Sequence, residues 1–171
     1  MGSDEMMPFN EDDDIDSDLG ASREDYEAHL GKFLVAFNRI EDTVSDLVGR
    51  ALSRAGRDDL IDRAMTRGLD RKLDDLELLL IQAPPSQRLP FAEIRQLSLN
   101  RNDLAHGHYD DWKGFGSFEV ITRSGKRKTY SPEVIAPLIA RAEDLAFKLR
   151  QQQARWDFDQ ISDALDEPRA T

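Results

Sequence analysis

From Leu30 onward the apolar residues Leu30, Phe33, Leu34, Phe37, Ile40, Val44, Leu47, Val48, Ala51 and Leu52 recur at intervals of three and four. That period lays them along one side of a helix, so the spacing predicts a single long amphipathic helix. Ser22, followed by acids, is placed to cap its start, and Gly56 lies where it should end. A second helical pattern covers residues 58–83. Leu60, Ile61, Ala64 and Met65 precede Gly68, and Leu69, Leu73, Leu76, Leu79 and Leu80 follow it. Gly68 predicts a kink or break, and Pro84-Pro85 a stop. A third helix is expected over 89–105, with Pro90 in its first turn and Phe91, Ile94, Leu97 and Leu104 on one face. Gly107 is expected to close it as a left-handed C-cap.

After Gly107 the period changes. Phe118, Val120 and Thr122 alternate with Glu119 and Ile121, and Ser124-Gly125 offers a tight turn, which predicts a β-hairpin within 109–130. Ser131-Pro132-Glu133 then supplies an N-cap, a first-position proline and a first-turn acid for a last main helix. Its apolar positions are Val134, Ile135, Leu138, Ile139, Ala142, Leu145, Ala146 and Leu149. Trp156, Phe158, Ile161 and Leu165 fit either an extension of that helix or a separate short one. The elements together predict an all-α fold: an antiparallel four-helix bundle over residues 22–156 with a β-hairpin inserted before the last main helix. A short helix or tail is expected over 157–171.

Composition narrows the chemistry. The chain has 171 residues, the size of one domain, and no cysteine, so a disulfide framework, a thiol nucleophile and a Cys-ligated metal are excluded. Three histidines remain, and His29 lies far from His106 and His108, so neither a metal site nor a cofactor is expected. No run is long and apolar enough to span a bilayer, and the N-terminus is acidic where a signal peptide is basic. A cytoplasmic location without a membrane partner is the expectation.

The net charge of -11 argues at first against a nucleic-acid partner. Its distribution reverses that argument. Residues 1–27 hold eleven acids against the single base Arg23, whereas the rest of the chain holds 23 acids and 22 bases. The body is therefore nearly neutral, and residues 1–21 read as a disordered acidic tail.

The informative segment is Arg101-Asn102-Asp103-Leu104-Ala105-His106-Gly107. At about 100° per residue, Arg101 falls within the apolar stripe formed by Ile94, Leu97 and Leu104. A guanidinium cannot shed its charge, so that position requires a carboxylate partner, a phosphate ligand or a crevice open to water. Glu41 sits inside the apolar arc of the first helix, while Asp42 projects to the other side. An Arg101–Glu41 pair follows, either orienting the arginine head for chemistry or serving as a plain structural salt bridge. Asn102 and His106 share a ridge with Arg95 one further step back, so the Asn102 amide is placed to orient the imidazole. The competing account of His106 is that it satisfies terminal carbonyls beside the cap. His108 and Tyr109 follow and are candidates to line the same site. Arg123, Lys126, Arg127 and Lys128 make a basic hairpin tip suited to phosphate contacts, with Trp112 and Phe115 nearby for stacking on bases.

This run, ending the third long helix of a helical bundle, resembles the HEPN domain, whose signature is an arginine, four to six residues, then a histidine, often with a polar residue directly after the arginine. Phe37-Asn38-Arg39-Ile40-Glu41 and the Ser131-Pro132-Glu133 restart also look like bacterial members. The resemblance covers residues 22–150. It implies a metal-independent endoribonuclease, active as a homodimer and often a toxin or phage-defence effector with a cognate antitoxin. Carried over, Arg101 stabilises the charged phosphorane, His106 is the general acid/base and Asn102 assists them. Some family toxins are silenced at a tyrosine two residues after the histidine. Here that position is His108 and Tyr109 comes one later, a departure that puts such control in doubt. Other members are non-catalytic, so a binding or regulatory module with a structural arginine stays open.

Overall fold

The computed structural model describes residues 15–84, 87–109, 118–122 and 124–166, with side chains over 23–84, 87–107, 118–122 and 124–157. Among the described residues there are five α-helices: α1 (Ile15–Arg54), α2 (Ile61–Met65, after a 3-10 turn over Asp58–Leu60), α3 (Leu69–Leu79), α4 (Phe91–His106) and α5 (Pro132–Asp166). Between α4 and α5 lie three short strands, β1 (His108–Tyr109), β2 (Glu119–Ile121) and β3 (Arg127–Thr129).

The apolar positions that define the helical period are the ones that become the core. Phe33, Phe37, Ile40, Leu47, Leu73, Leu76, Ile94, Leu97, Ile135, Leu145, Leu149 and Trp156 are fully buried. Each contributes about 1.5–3 kcal/mol relative to exposure, which is what holds these helices together. α1 ends as expected at Gly56, whose positive φ of 66° allows Arg57 N–H to donate to Leu52 O (2.9 Å) and Gly56 N–H to Ser53 O (2.9 Å). At its other end α1 departs from expectation. It starts at Ile15, so Ser22 lies inside the helix and residues 15–21, expected to be disordered, are helical. Once a helix is nucleated each added residue gains a hydrogen bond, so the helix extends back past Ser22. The strongly acidic stretch before Ile15 lies outside the described residues.

Contacts between helices set their directions. Gln153 Nε2 donates to Asp46 Oδ2 (3.3 Å), Arg54 Nη2 donates to the Trp156 carbonyl (2.8 Å), and Glu133 lies within electrostatic reach of His29, so α1 and α5 run in the same sense. α3 follows α1 likewise: Lys72 Nζ donates to Ser45 Oγ (2.8 Å), and Leu79 and Leu80 share a cleft with Ala51 and Ala55. α4 runs against α5, with Glu93 facing Arg141 (3.9 Å) and Asp103 facing Tyr130 (3.1 Å). The α4/α5 pair is thus antiparallel, but the expected alternation fails for α1, α3 and α5. The cause is local. The 3-10 turn and α2 carry the chain back along α1, where Ile61 and Met65 line a groove with Ser45, Gly49 and Ser53, so α3 can set out again in the same direction. Gly68 precedes α3 in an extended conformation, which makes it a break rather than a kink.

The inserted β-structure is larger than a hairpin. β2 pairs antiparallel with β3, with Val120 opposite Lys128, and also with β1, with Tyr109 opposite Val120. The alternation appears as expected: Phe118, Val120 and Thr122 are buried, and Gly125, at φ 78°, makes the turn. Two smaller expectations fail at α4. Pro90 is the residue before the helix rather than in its first turn, and Gly107 is extended (φ −70°, ψ 150°) rather than left-handed. The chain passes directly from α4 into β1, which needs extended backbone. Glycine is required there for space: a Cβ would overlap the Val120 side chain and the Asp103 carbonyl. Ser131 behaves as the expected entry to α5, its carbonyl accepting from Val134 N–H (2.9 Å) and Ile135 N–H (3.0 Å). α5 then continues unbroken through Trp156 to Asp166, so no boundary falls at 156/157. Trp156 is buried and Arg54 lies over its ring at 5.4 Å.

Gly107→Ala should therefore destabilise the fold by about 1–3 kcal/mol, because the new methyl has no space between helix and sheet. Urea denaturation measures it, and an equal midpoint for variant and wild type would show that β2 yields without cost.

Candidate active site

The burial of Ile94, Leu97, Ser98 and Leu104 fixes the rotation of α4 and turns Arg101 towards α1. There its side chain is 25% exposed, and Nη2 stands 3.7 Å from Oε2 of Glu41, which is 32% exposed. Nη1 donates to Asn102 Oδ1 (3.2 Å) and lies 3.4 Å from His106 Nε2. Arg101, Asn102, His106 and Glu41 are therefore one cluster. The guanidinium has only donors, so Nε2 accepts from Nη1 in the tautomer that carries its proton on Nδ1. Asn102 bears on the arginine instead of holding the imidazole as expected, because Oδ1 is engaged by Nη1.

The contacts around Arg101 are long. A bidentate guanidinium–carboxylate bridge closes at about 2.7–2.9 Å, whereas here the carboxylate is at 3.7 Å and Nε is buried with no hydrogen-bond partner. Glu41 offsets the charge without consuming the donors. An anion entering this cluster would find a guanidinium already oriented and incompletely satisfied.

Other expected site residues are placed elsewhere. Arg95 donates to Asp74 Oδ1 (3.0 Å) and Glu77 Oε2 (2.9 Å), which ties α4 to α3 and removes it from the cluster. The bond to Glu77 holds its guanidinium above the ordinary range. The hairpin cations are partly neutralised within the chain: Arg127 Nη1 bonds Glu119 Oε2 (3.2 Å), and Lys128 Nζ bonds Asp103 Oδ2. Lys126 is exposed at the turn. His108 and Tyr109 form β1, and their side chains, like Arg123, Trp112 and Phe115, lie outside the described residues. Among the described residues no group of His, Asp and Glu side chains is arranged to hold a metal, and no helix is long and apolar enough to cross a membrane.

Two residues beside the cluster carry no periodic signal in the sequence. Asp103, whose side chain is 17% exposed, accepts from Lys128 and from Tyr130 Oη (3.1 Å), and Tyr130 is buried. The contact bridges 27 residues, so neither helical nor strand spacing announces it. The one available hint is the place of Tyr130 at the end of the hairpin, immediately before the Ser131 cap.

Burial, then the charge of Asp103 and the bond to it, push the Tyr130 phenol far above its usual pKa of 10.0. In the unfolded chain the phenol ionises first, so its contribution to stability is present below about pH 10 and is lost as the pH rises beyond. Wild type should lose stability between about pH 8 and 10.5 relative to Tyr130→Phe. Parallel denaturation curves of the two proteins at both pH values test this, and a constant difference would refute it. Arg95→Ala is expected to weaken the α3–α4 contact by less than about 1 kcal/mol, since both acids are half exposed, and to leave the chemistry of the Arg101 cluster intact.

Comparison of the chain with known protein families, with characterised proteins and with solved structures finds no match to any of the three.

Proposed function

We propose that this protein is a metal-independent, HEPN-like endoribonuclease that acts as a homodimer, with α1, α3, α4 and α5 as the four helices of the HEPN-type bundle. The observation that carries the reading is the oriented but loosely bound Arg101, 3.4 Å from His106 Nε2 and 3.7 Å from Glu41 Oε2. RNA cleavage through the ribose 2′-OH needs a proton acceptor and a cationic clamp on the phosphate, and this cluster has both. One His106 removes the 2′-OH proton as that oxygen attacks phosphorus. The bond to the 5′ oxygen breaks, that oxygen takes a proton from the second copy's imidazole, and a 2′,3′-cyclic phosphate remains. Arg101 holds the non-bridging oxygens, whose charge grows in the phosphorane, and Asn102 keeps the guanidinium aimed. A single copy supplies one imidazole to the cluster while the reaction uses a base and an acid together, which favours pairing across a two-fold axis. Leu99, 59% exposed on the ridge of Asn102 and His106, gives such a pairing an apolar contact. A toxin or phage-defence role, with an antitoxin as partner, is the cellular setting the family resemblance suggests.

The Arg101–Glu41 pairing favours one second reading, a non-catalytic HEPN-like binding or regulatory module in which the arginine is structural. Cleavage assays in EDTA separate the two. His106→Ala and Arg101→Ala are each expected to lower kcat at least about 100-fold, and Asn102→Ala about tenfold, while 2′,3′-cyclic ends are the product. Folded wild-type dimer that cuts no RNA, or full activity in His106→Ala, would leave the second reading in place.

A further inference from the structure

The last turn of α4 presents His106 to Arg101, and helix ends fray unless something holds them. His106 is the final residue of α4 and is exposed, so its own contacts supply little restraint. The turn is closed by Gly107 N–H donating to the Asp103 carbonyl (2.8 Å), and His106 lies between those two residues. The side chain of the same Asp103 is gripped from the sheet side by Tyr130 Oη (3.1 Å) and Lys128 Nζ.

The gripping residues are themselves anchored. Tyr130 N–H donates to the Phe118 carbonyl (2.8 Å), and the Phe118 ring stacks on Tyr26 of α1 with centroids 4.7 Å apart and an interplanar angle of 9°. Tyr130 Oη also lies 3.4 Å from Asn100 Oδ1, one turn back along α4. On the other side of the turn, Gly107 is wedged against Val120 with no room for a methyl group. The last turn is thus clamped at both of its ends by the small sheet. Around the helix axis Asp103 projects about 60° away from His106 and about 160° from Arg101. It therefore stands outside the Arg101 cluster and acts on it through the backbone.

We propose that Asp103 is a positioning residue of the site, with Tyr130 and Lys128 as its anchors: the sheet holds the last turn of α4 through this carboxylate and so keeps His106 within reach of Arg101. The proposal rests on the ribonuclease reading for its functional consequence. It also gives the inserted β-structure a role, and it assigns Lys128 to the scaffold in place of the RNA contact its charge suggested.

The test uses the full-length protein with Tyr130→Phe, Asp103→Asn, Asp103→Ala and, as a control ion pair away from the turn, Arg141→Ala. Steady-state cleavage of an oligoribonucleotide is measured together with hydrogen exchange of the Gly107 amide and the NMR resonances of the His106 ring. A charge-assisted hydrogen bond lost from the clamp should raise the frayed population about tenfold. Tyr130→Phe is accordingly expected to lower kcat about tenfold with KM changed less than about twofold, since Arg101 still binds phosphate, and to speed Gly107 exchange by a similar factor. Asp103→Asn, which keeps an acceptor oxygen, should fall less than Asp103→Ala. Tyr130→Phe removes one oxygen and keeps the packing, so it decides the matter even if Asp103→Ala does not fold. Wild-type kcat and wild-type Gly107 exchange in Tyr130→Phe would overturn the proposal, as would an equal loss of kcat in Arg141→Ala at matched stability. If the wild type cuts no RNA, the ribonuclease reading falls by itself. Gly107 exchange and the His106 resonances then decide the clamp: acceleration with a ring shift supports it, and no change removes it.

Discussion

A guanidinium keeps its charge at any pH a protein meets, and in this chain one is set among Ile94, Leu97 and Leu104 on the buried side of α4. Everything at the site answers that constraint. α1 brings Glu41 to 3.7 Å, close enough to offset the charge and too far to make a tight bridge. Asn102 and His106, one and five residues on, take up Nη1 at 3.2 and 3.4 Å. The price is a buried Nε without a partner, which a purely structural arginine would be expected to avoid.

Such a cluster works only if three separate pieces of backbone stay in register. The rotation of α4 is set by its buried apolar face, and the position of Glu41 by Phe37, Ile40 and Val44 in the core. The last turn has no such apolar anchor beyond Leu104, and there polar contacts take over. Asp103 is bound by Tyr130 and Lys128, and Gly107 is pressed against Val120. The three-stranded sheet is too small to be a core in its own right. It packs through Phe118 on Tyr26, so its stability is borrowed from α1 and passed on to α4.

Charge is divided unevenly along the chain. The acids of residues 1–27 account for nearly all of the net charge, and the body that carries Arg101 is close to neutral. Within that body the cations of β3 are already engaged by Glu119 and Asp103, so the basic tip is less available than its sequence suggests. Arg101 keeps a buried Nε with no hydrogen-bond partner.

Periodicity alone determined the long helices, the alternation of Phe118, Val120 and Thr122, the turn at Gly125 and the inward-facing positions of Arg101 and Glu41 on their own helices, because each depends on spacing within one element or on which face an element buries. The Arg101–Asn102–His106 grouping was legible for the same reason: five residues of helix fix it. Tertiary structure alone decided the rest. The shared direction of α1, α3 and α5 follows from the short return through α2, and the removal of Arg95 from the site follows from which acids of α3 lie opposite it. Gly107 looked like a left-handed cap because glycine usually is one at that position. Here it is extended because the chain runs straight into β1, and it must be glycine because Val120, thirteen residues on, fills the space a Cβ would take. Asp103 and Tyr130 left no mark in the pattern, since a hydrogen bond across 27 residues has no period. Local spacing dictates what a helix presents, but which residues meet across the fold depends on how chain turns deliver one element to the next, and no window along the sequence contains that information.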